Sequence, residues 1–151
     1  MHKSINAVLN ELLVTTFNDI LEIEQSAIKK GILKDLSVTE IHTIDAIGMY
    51  ITRTMSEVAA DLNITVGTLT TAINNLVKKG YVVRSKDEKD RRVVKIGLTR
   101  KGKLAYRVHE KFHLDMIKET IEGLSVEEET ILENALTKLN KFFKSKYNLK
   151  K

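Results

Sequence analysis

Residues Thr54 to Gly102 read TMSEVAADLNITVGTLTTAINNLVKKGYVVRSKDEKDRRVVKIGLTRKG, and this stretch decides the fold. Thr54 and Glu57 form a T-x-x-E capping box, which predicts a helix from Met55 with Val58, Ala59 and Leu62 on one face. Asn63-Ile64-Thr65 breaks that pattern. Thr65 can cap a second helix, whose Leu69, Ile73, Leu76 and Val77 recur at helical spacing, and Gly80 stops it at C′. The period then changes to that of strands. Tyr81–Ser85 and Val93–Leu98 are β-rich runs, separated by the charged turn Lys86–Arg92.

Two short helices, a hairpin and the start of a third helix make the outline of a winged helix-turn-helix. The face of the second helix that points away from the core carries Thr65, Thr68, Thr70, Thr71, Asn74, Asn75 and Lys78, with Gly67 in its first turn. These short hydrogen-bonding groups approach base edges without being held off by length or like charge, which suits a major groove. An ordinary solvated face is the alternative. Such a face, however, usually carries Glu and Lys in i,i+4 pairs, because Thr and Asn cost helix propensity. Candidate DNA contacts extend to Thr54 and Ser56 at the start of the preceding helix, and to Lys86, Asp90, Arg91 and Arg92 at the hairpin tip.

The chain has 151 residues and a net charge of +5, but the distribution of charge says more than its sum. Residues 78–103 hold eleven Lys/Arg against three Asp/Glu, so the rest of the chain is net acidic. Charge localised on a hairpin is what a phosphate-binding surface needs. The lysines from Lys138 to Lys151 form a second basic block, for which a solvated end is the simple reading. With no cysteine, disulfides and thiolate metal sites are excluded. No run approaches a membrane span and the N-terminus lacks a signal peptide's apolar core, so a cytoplasmic protein is expected. No G-x-S-x-G, P-loop or G-x-G-x-x-G appears, and an enzyme is not expected.

Four further helices follow from periodicity and caps. Ile5, Val8, Leu9, Leu12, Ile20, Leu21 and Ile28 predict one ending at Lys30-Gly31, and Ser37–Glu40 is a capping box opening another that ends near Gly48. Thr99 starts a long helix to about Gly123, and Ser125–Glu128 caps the last. Six helices and one hairpin result, a mainly α fold. The apolar stripes of the terminal helices exceed what a compact winged helix can cover. A second copy of the same pair would cover them, while a monomer with a closed helical cap is the alternative. A two-fold dimer would set two recognition helices about 34–36 Å apart, one DNA turn.

This order of elements resembles the MarR family of bacterial transcription regulators over essentially the whole chain. Its most specific mark is Asp90-Arg91-Arg92 through Leu98-Thr99 to Gly102, similar to the family's D-x-R…L-T-x-x-G wing signature. The resemblance implies a single domain over 1–151, with a winged-helix lobe at about 36–100 and dimerisation helices at about 2–30 and 103–148. It also implies that Arg92 enters a minor groove while Asp90 fixes its orientation. The physics agrees, since a guanidinium suits a narrow electronegative groove. The segments Glu40–Gly48, Val66–Leu76, Lys111–Met116 and Glu122–Glu128 are similar to the FabT-like repressors of fatty-acid biosynthesis genes. Those proteins use long-chain acyl groups on acyl carrier protein as corepressor, so that product tightens DNA binding. Many family members carry Arg or Lys where this chain has Thr71 and Asn75. Readout should then shift to Asn with adenine and Thr methyls with thymine, giving an A·T-rich palindromic operator.

Family proteins bind effectors in the crevice beside the dimerisation helices. By that likeness Ile20, Ile23, Ile41, His42, Ile44, Ile47, Met49, His109, Phe112, His113 and Met116 would line it, core packing being the other reading of the apolar ones. An apolar crevice with Met walls could admit an acyl chain. His109 and His113 lie i,i+4 on one helix and, with His42 and Glu24, resemble the ligand set of zinc-responsive family members. Structural histidines, hydrogen-bonded to Asp45 or a neighbouring helix, are the alternative. A small-aromatic effector stands beside zinc as a further alternative signal.

Overall fold

The computed structural model describes residues 3–149, which form two compact units dividing between His42 and Thr43. The first holds α1 (Ile5–Lys30) and the opening of α2 (Val38–Ile47). Ser4 caps α1, its hydroxyl accepting from the Ala7 amide at 3.3 Å, and the Gly31 N–H closes the far end on the Ile28 carbonyl. α2 starts with the expected capping box: Ser37 Oγ accepts from the Glu40 amide at 3.1 Å, and the Glu40 carboxylate accepts from the Ser37 amide at 2.9 Å. Ile28, Leu33, Leu36 and Ile41 are buried in this part of the chain.

The second unit continues α2 and adds β1 (Arg53–Thr54), α3 (Met55–Leu62), α4 (Val66–Lys78), β2 (Val82–Lys86), β3 (Val94–Leu98), α5 (Arg100–Ile121) and α6 (Val126–Lys146). The sheet corrects the sequence reading. Instead of a lone hairpin it has three antiparallel strands in the order β1-β3-β2, with Arg53 opposite Ile96 and Val82 opposite Leu98. A two-residue strand has no period to detect, and only its pairing with β3 makes it one. Arg53 explains the tie. Its guanidinium donates to the Ala46 carbonyl at 2.7 Å and the Asp61 carboxylate at 2.5 Å, joining the end of α2 to α3. Thr54 caps α3 through the Glu57 amide, while the Glu57 carboxylate lies 3.7 Å from Arg53 Nε.

The core of this unit is Ile44, Ile47, Val58, Ala59, Leu69, Ile73, Leu76, Tyr81, Val82, Ile96 and Ala105. α3 and α4 are joined by Asn63 in the left-handed conformation, φ 55°, a turn an asparagine tolerates. Gly80 takes φ 85° after α4, as expected of C′. Thr99 then locks the start of α5 to the end of α4. Its Oγ1 donates to the Gly80 carbonyl at 2.6 Å and accepts from the Gly102 amide at 3.1 Å.

α6 opens with a complete capping box, Ser125 and Glu128 exchanging bonds at 3.2 and 2.8 Å, and Glu127–Glu129 complement the helix dipole. Ser125→Ala should cost about 1 kcal/mol, a fall of about 2–4 °C in Tm for a chain of this size, measured by thermal melting. α6 buries none of its residues. Leu9, Leu12, Phe17 and Leu21 of α1 are exposed, as are Leu114 and Ile117 of α5 and Ile131, Leu136 and Phe142 of α6. Among the described residues no helix is long and apolar enough to cross a membrane.

Candidate nucleic-acid interface

α4 is held by its inner face and leaves its outer face free. Leu69, Ile73 and Leu76 are fully buried, whereas Thr65, Gly67, Thr68, Thr71, Asn74, Asn75 and Lys78 are exposed and Thr70 is half-buried. Thr65 makes the N-cap, its Oγ1 accepting from the Thr68 amide at 3.1 Å and lying 2.9 Å from the Thr68 hydroxyl. Thr70 donates its hydroxyl proton to the Val66 carbonyl at 2.8 Å. That bond leaves the methyl of Thr70 as its group for apolar contact, the kind a thymine methyl accepts. Val66, 45% exposed in the first turn, adds an apolar group that the sequence reading missed, since a valine counts there as core. Ser56 is exposed in the first turn of α3, where helix amides favour an anion, and Thr54 beside it is half-buried.

The wing is closed by backbone bonds from the Asp87 amide to the Val93 carbonyl and from the Val93 amide to the Asp90 carbonyl, both 3.0 Å. These bonds turn the chain so that Asp90 faces Arg92. Asp90 Oδ1 accepts from the Arg92 amide at 3.1 Å and from Arg92 Nε at 3.2 Å, while Oδ2 lies 3.4 Å from a terminal guanidinium nitrogen. The Arg92 side chain is 92% exposed, so the fork is held outward. Its hydrogen bonds, from the side chain first and the amide second, keep the Asp90 carboxyl below its ordinary value of 3.8. Asp90 therefore orients Arg92 above that depressed value and loses the role only as pH falls through it. Lys86 and Arg91 are exposed on the same hairpin, and Lys95 pairs with Asp87 at 3.2 Å.

A residue that the sequence places only in a strand joins wing to helix: Arg84 of β2 donates from its guanidinium to Asn74 Oδ1 on α4. Periodicity marks Arg84 only as an outward strand position.

The second unit also has a cavity of about 360 Å³ lined by Asp45, Tyr106, His109, Glu110, His113, Leu114 and Ile117. Of the residues expected to line an effector site, His109 and His113 are here. Ile44 and Ile47 are instead 1% exposed within the core, Phe112 stacks beside His109 at 6.4 Å, and Met49 and Met116 are half-buried elsewhere. The Tyr106 hydroxyl is pushed up from its ordinary value by burial and then by the Glu110 charge. His109 is buried, its Nδ1 lying 2.7 Å from Asp45 Oδ2 and its Nε2 3.1 Å from His113 Nε2. With Nδ1 donating to the carboxylate, a neutral His109 presents an Nε2 lone pair. In the first unit, Ile20 is half-buried, Ile23 exposed and Ile41 buried, and His42 Nε2 lies 3.0 Å from the Glu24 carboxylate.

A three-stranded wing beside an outward-facing helix of Thr and Asn defines a winged helix-turn-helix DNA-binding protein. The MarR family profile matches residues 36–94. Among solved structures, FabT of Streptococcus pneumoniae in complex with DNA is 42% identical, with a TM-score of 0.88 over 93% of this chain and 98% of that one. The S. aureus MepR-DNA complex shares the fold at 21% identity and TM-score 0.70, over 89% of this chain and 95% of that one. The uncharacterized HTH-type transcriptional regulator YfiV of Bacillus subtilis (strain 168) is 31% identical over 108 residues, which is 71% of this chain and 67% of that protein. The chain belongs to the MarR family: it is a DNA-binding transcriptional regulator, not an enzyme.

Proposed function

We propose that this protein is a cytoplasmic, homodimeric repressor of fatty-acid biosynthesis genes, bound to an A·T-rich palindromic operator and tightened there by long-chain acyl groups on acyl carrier protein. The observation that carries this reading is the 42% identity with FabT across 93% of the chain. A dimer is supported by the exposed apolar residues of α1 and α6, which another copy would cover. For the corepressor, the cavity beside Leu114 and Ile117 has the size of a small-molecule site, with apolar side chains in its wall.

A ligand changes DNA affinity only through its different affinity for the DNA-fitting and other spacings of the two recognition helices, a coupling of typically about 1–3 kcal/mol. Acylated carrier protein should therefore tighten operator binding about five- to 150-fold in fluorescence anisotropy, and the bare carrier should not. No difference between the two carriers would remove the fatty-acid signal from the account.

A second reading, regulation by zinc, is favoured by the 3.1 Å approach of the His109 and His113 Nε2 atoms with the Asp45 carboxylate behind His109. Zinc added after chelation would then tighten DNA binding in the same assay, and His109→Ala would abolish that response.

A further inference from the structure

We propose that Arg84 is a specificity-positioning residue: from the wing it fixes the amide of Asn74 on the recognition helix, and so sets which base edge Asn74 can donate to. The guanidinium has N–H donors and no acceptor, so the group of Asn74 that meets it must be the carbonyl. Chemistry thereby assigns the orientation of an amide whose oxygen and nitrogen are otherwise interchangeable in outline. With Oδ1 turned to Arg84, the Nδ2 donors keep one fixed direction.

The consequence for readout lies in the symmetry of an amide. A free asparagine on an exposed helix face rotates by half a turn at little cost, exchanging donor and acceptor. Such a side chain satisfies a donor edge or an acceptor edge equally well and discriminates poorly between them. Held by Arg84, it has one arrangement, and a base presenting the wrong group leaves a polar atom unpaired. Both residues are exposed, and each stands on an element fixed by the core, α4 through Leu69, Ile73 and Leu76 and β2 through Val82. The contact thus ties the wing to the base-reading face independently of the Asp90–Arg92 fork at the tip.

Selection from random duplex DNA at low salt tests this with the full-length chain and its Arg84→Met, Asn74→Ala and doubly substituted forms. Thermal melting checks that each is folded. The wild type should show, at one base pair of each half-site, a preference of about fivefold, the worth of one neutral hydrogen bond. Asn74→Ala and Arg84→Met should each abolish that preference and leave the other positions, and the double variant should lose nothing further there. An Arg84→Met protein that keeps the preference lost in Asn74→Ala would overturn the proposal. So would an Asn74→Ala protein whose preferences match the wild type. Uniform weakening by Arg84→Met at every position, with the salt slope falling by about one per half-site, would overturn it as well by making Arg84 a phosphate anchor.

Discussion

Arg92→Ala should weaken binding to a palindromic site by about a hundredfold or more while leaving the oligomeric state unchanged. A guanidinium engaged with a groove is worth about 1–3 kcal/mol, and a dimer presents two wings, so the losses compound. The side chain is 92% exposed and touches Asp90, so its removal disturbs no packing. Arg92→Lys separates charge from geometry. It keeps the cation but not the two-pronged bond to Asp90, and its affinity should fall between wild type and Arg92→Ala. Asp90→Asn imitates protonation of the orienting group. Because the Asp90 carboxyl titrates below its ordinary value, wild-type binding should show no step from this residue across the neutral range. Gel-shift or anisotropy titrations, with light scattering for the dimer, measure all three variants. Unchanged affinity for Arg92→Ala would take the wing tip out of the interface.

Gly102→Ala should be the most damaging single-methyl change in the chain. A Cβ at this position would lie 2.1 Å from the Tyr81 carbonyl oxygen and 3.2 Å from Leu98 Cβ, and the first of these is backbone that cannot rotate away. The close approach exists because Thr99 pins the first turn of α5 against the end of α4, the Thr99 amide donating to that same Tyr81 carbonyl at 3.0 Å. Separating these segments should cost about 3 kcal/mol or more, a fall in Tm of about 6–12 °C. Gly97→Ala gives the contrast. Its Cβ would meet the Thr52 methyl at 3.0 Å, the end of a side chain that can shift, and the cost should stay near 1 kcal/mol. Thermal melts of the two variants side by side test the difference; equal melts would mean that the α5 junction yields.

What the sequence made legible follows from how local each determinant is. Thr65, Ser37, Thr99 and Ser125 accept from amides within a turn of themselves and Gly80 supplies the positive φ that ends α4, so five ends of four helices could be read from single residues. The Asp90–Arg92 fork is also local, spanning two residues. β1 and the Arg84–Asn74 contact are not local. Each depends on where the folded wing places a residue against another element, and neither leaves a periodic trace. The cavity is harder for a different reason. Ile44 and Ile47 are as apolar and as regularly spaced as Leu114 and Ile117, yet the first pair is core and the second is wall. Periodicity reports which face turns inward, and whether that face meets atoms or space is settled by packing.

In a two-fold dimer the exposed face of α4 and the wing would read DNA as a symmetric pair. Selection of the wild-type protein on random duplexes, followed by footprinting of the enriched sites, tests it most directly. The expected result is an A·T-rich palindrome whose half-sites lie about 10–10.5 base pairs apart, with protection of the minor groove flanking each half. Enrichment of no site over bulk duplex, or of a single unpaired G·C-rich site without flanking protection, would contradict it.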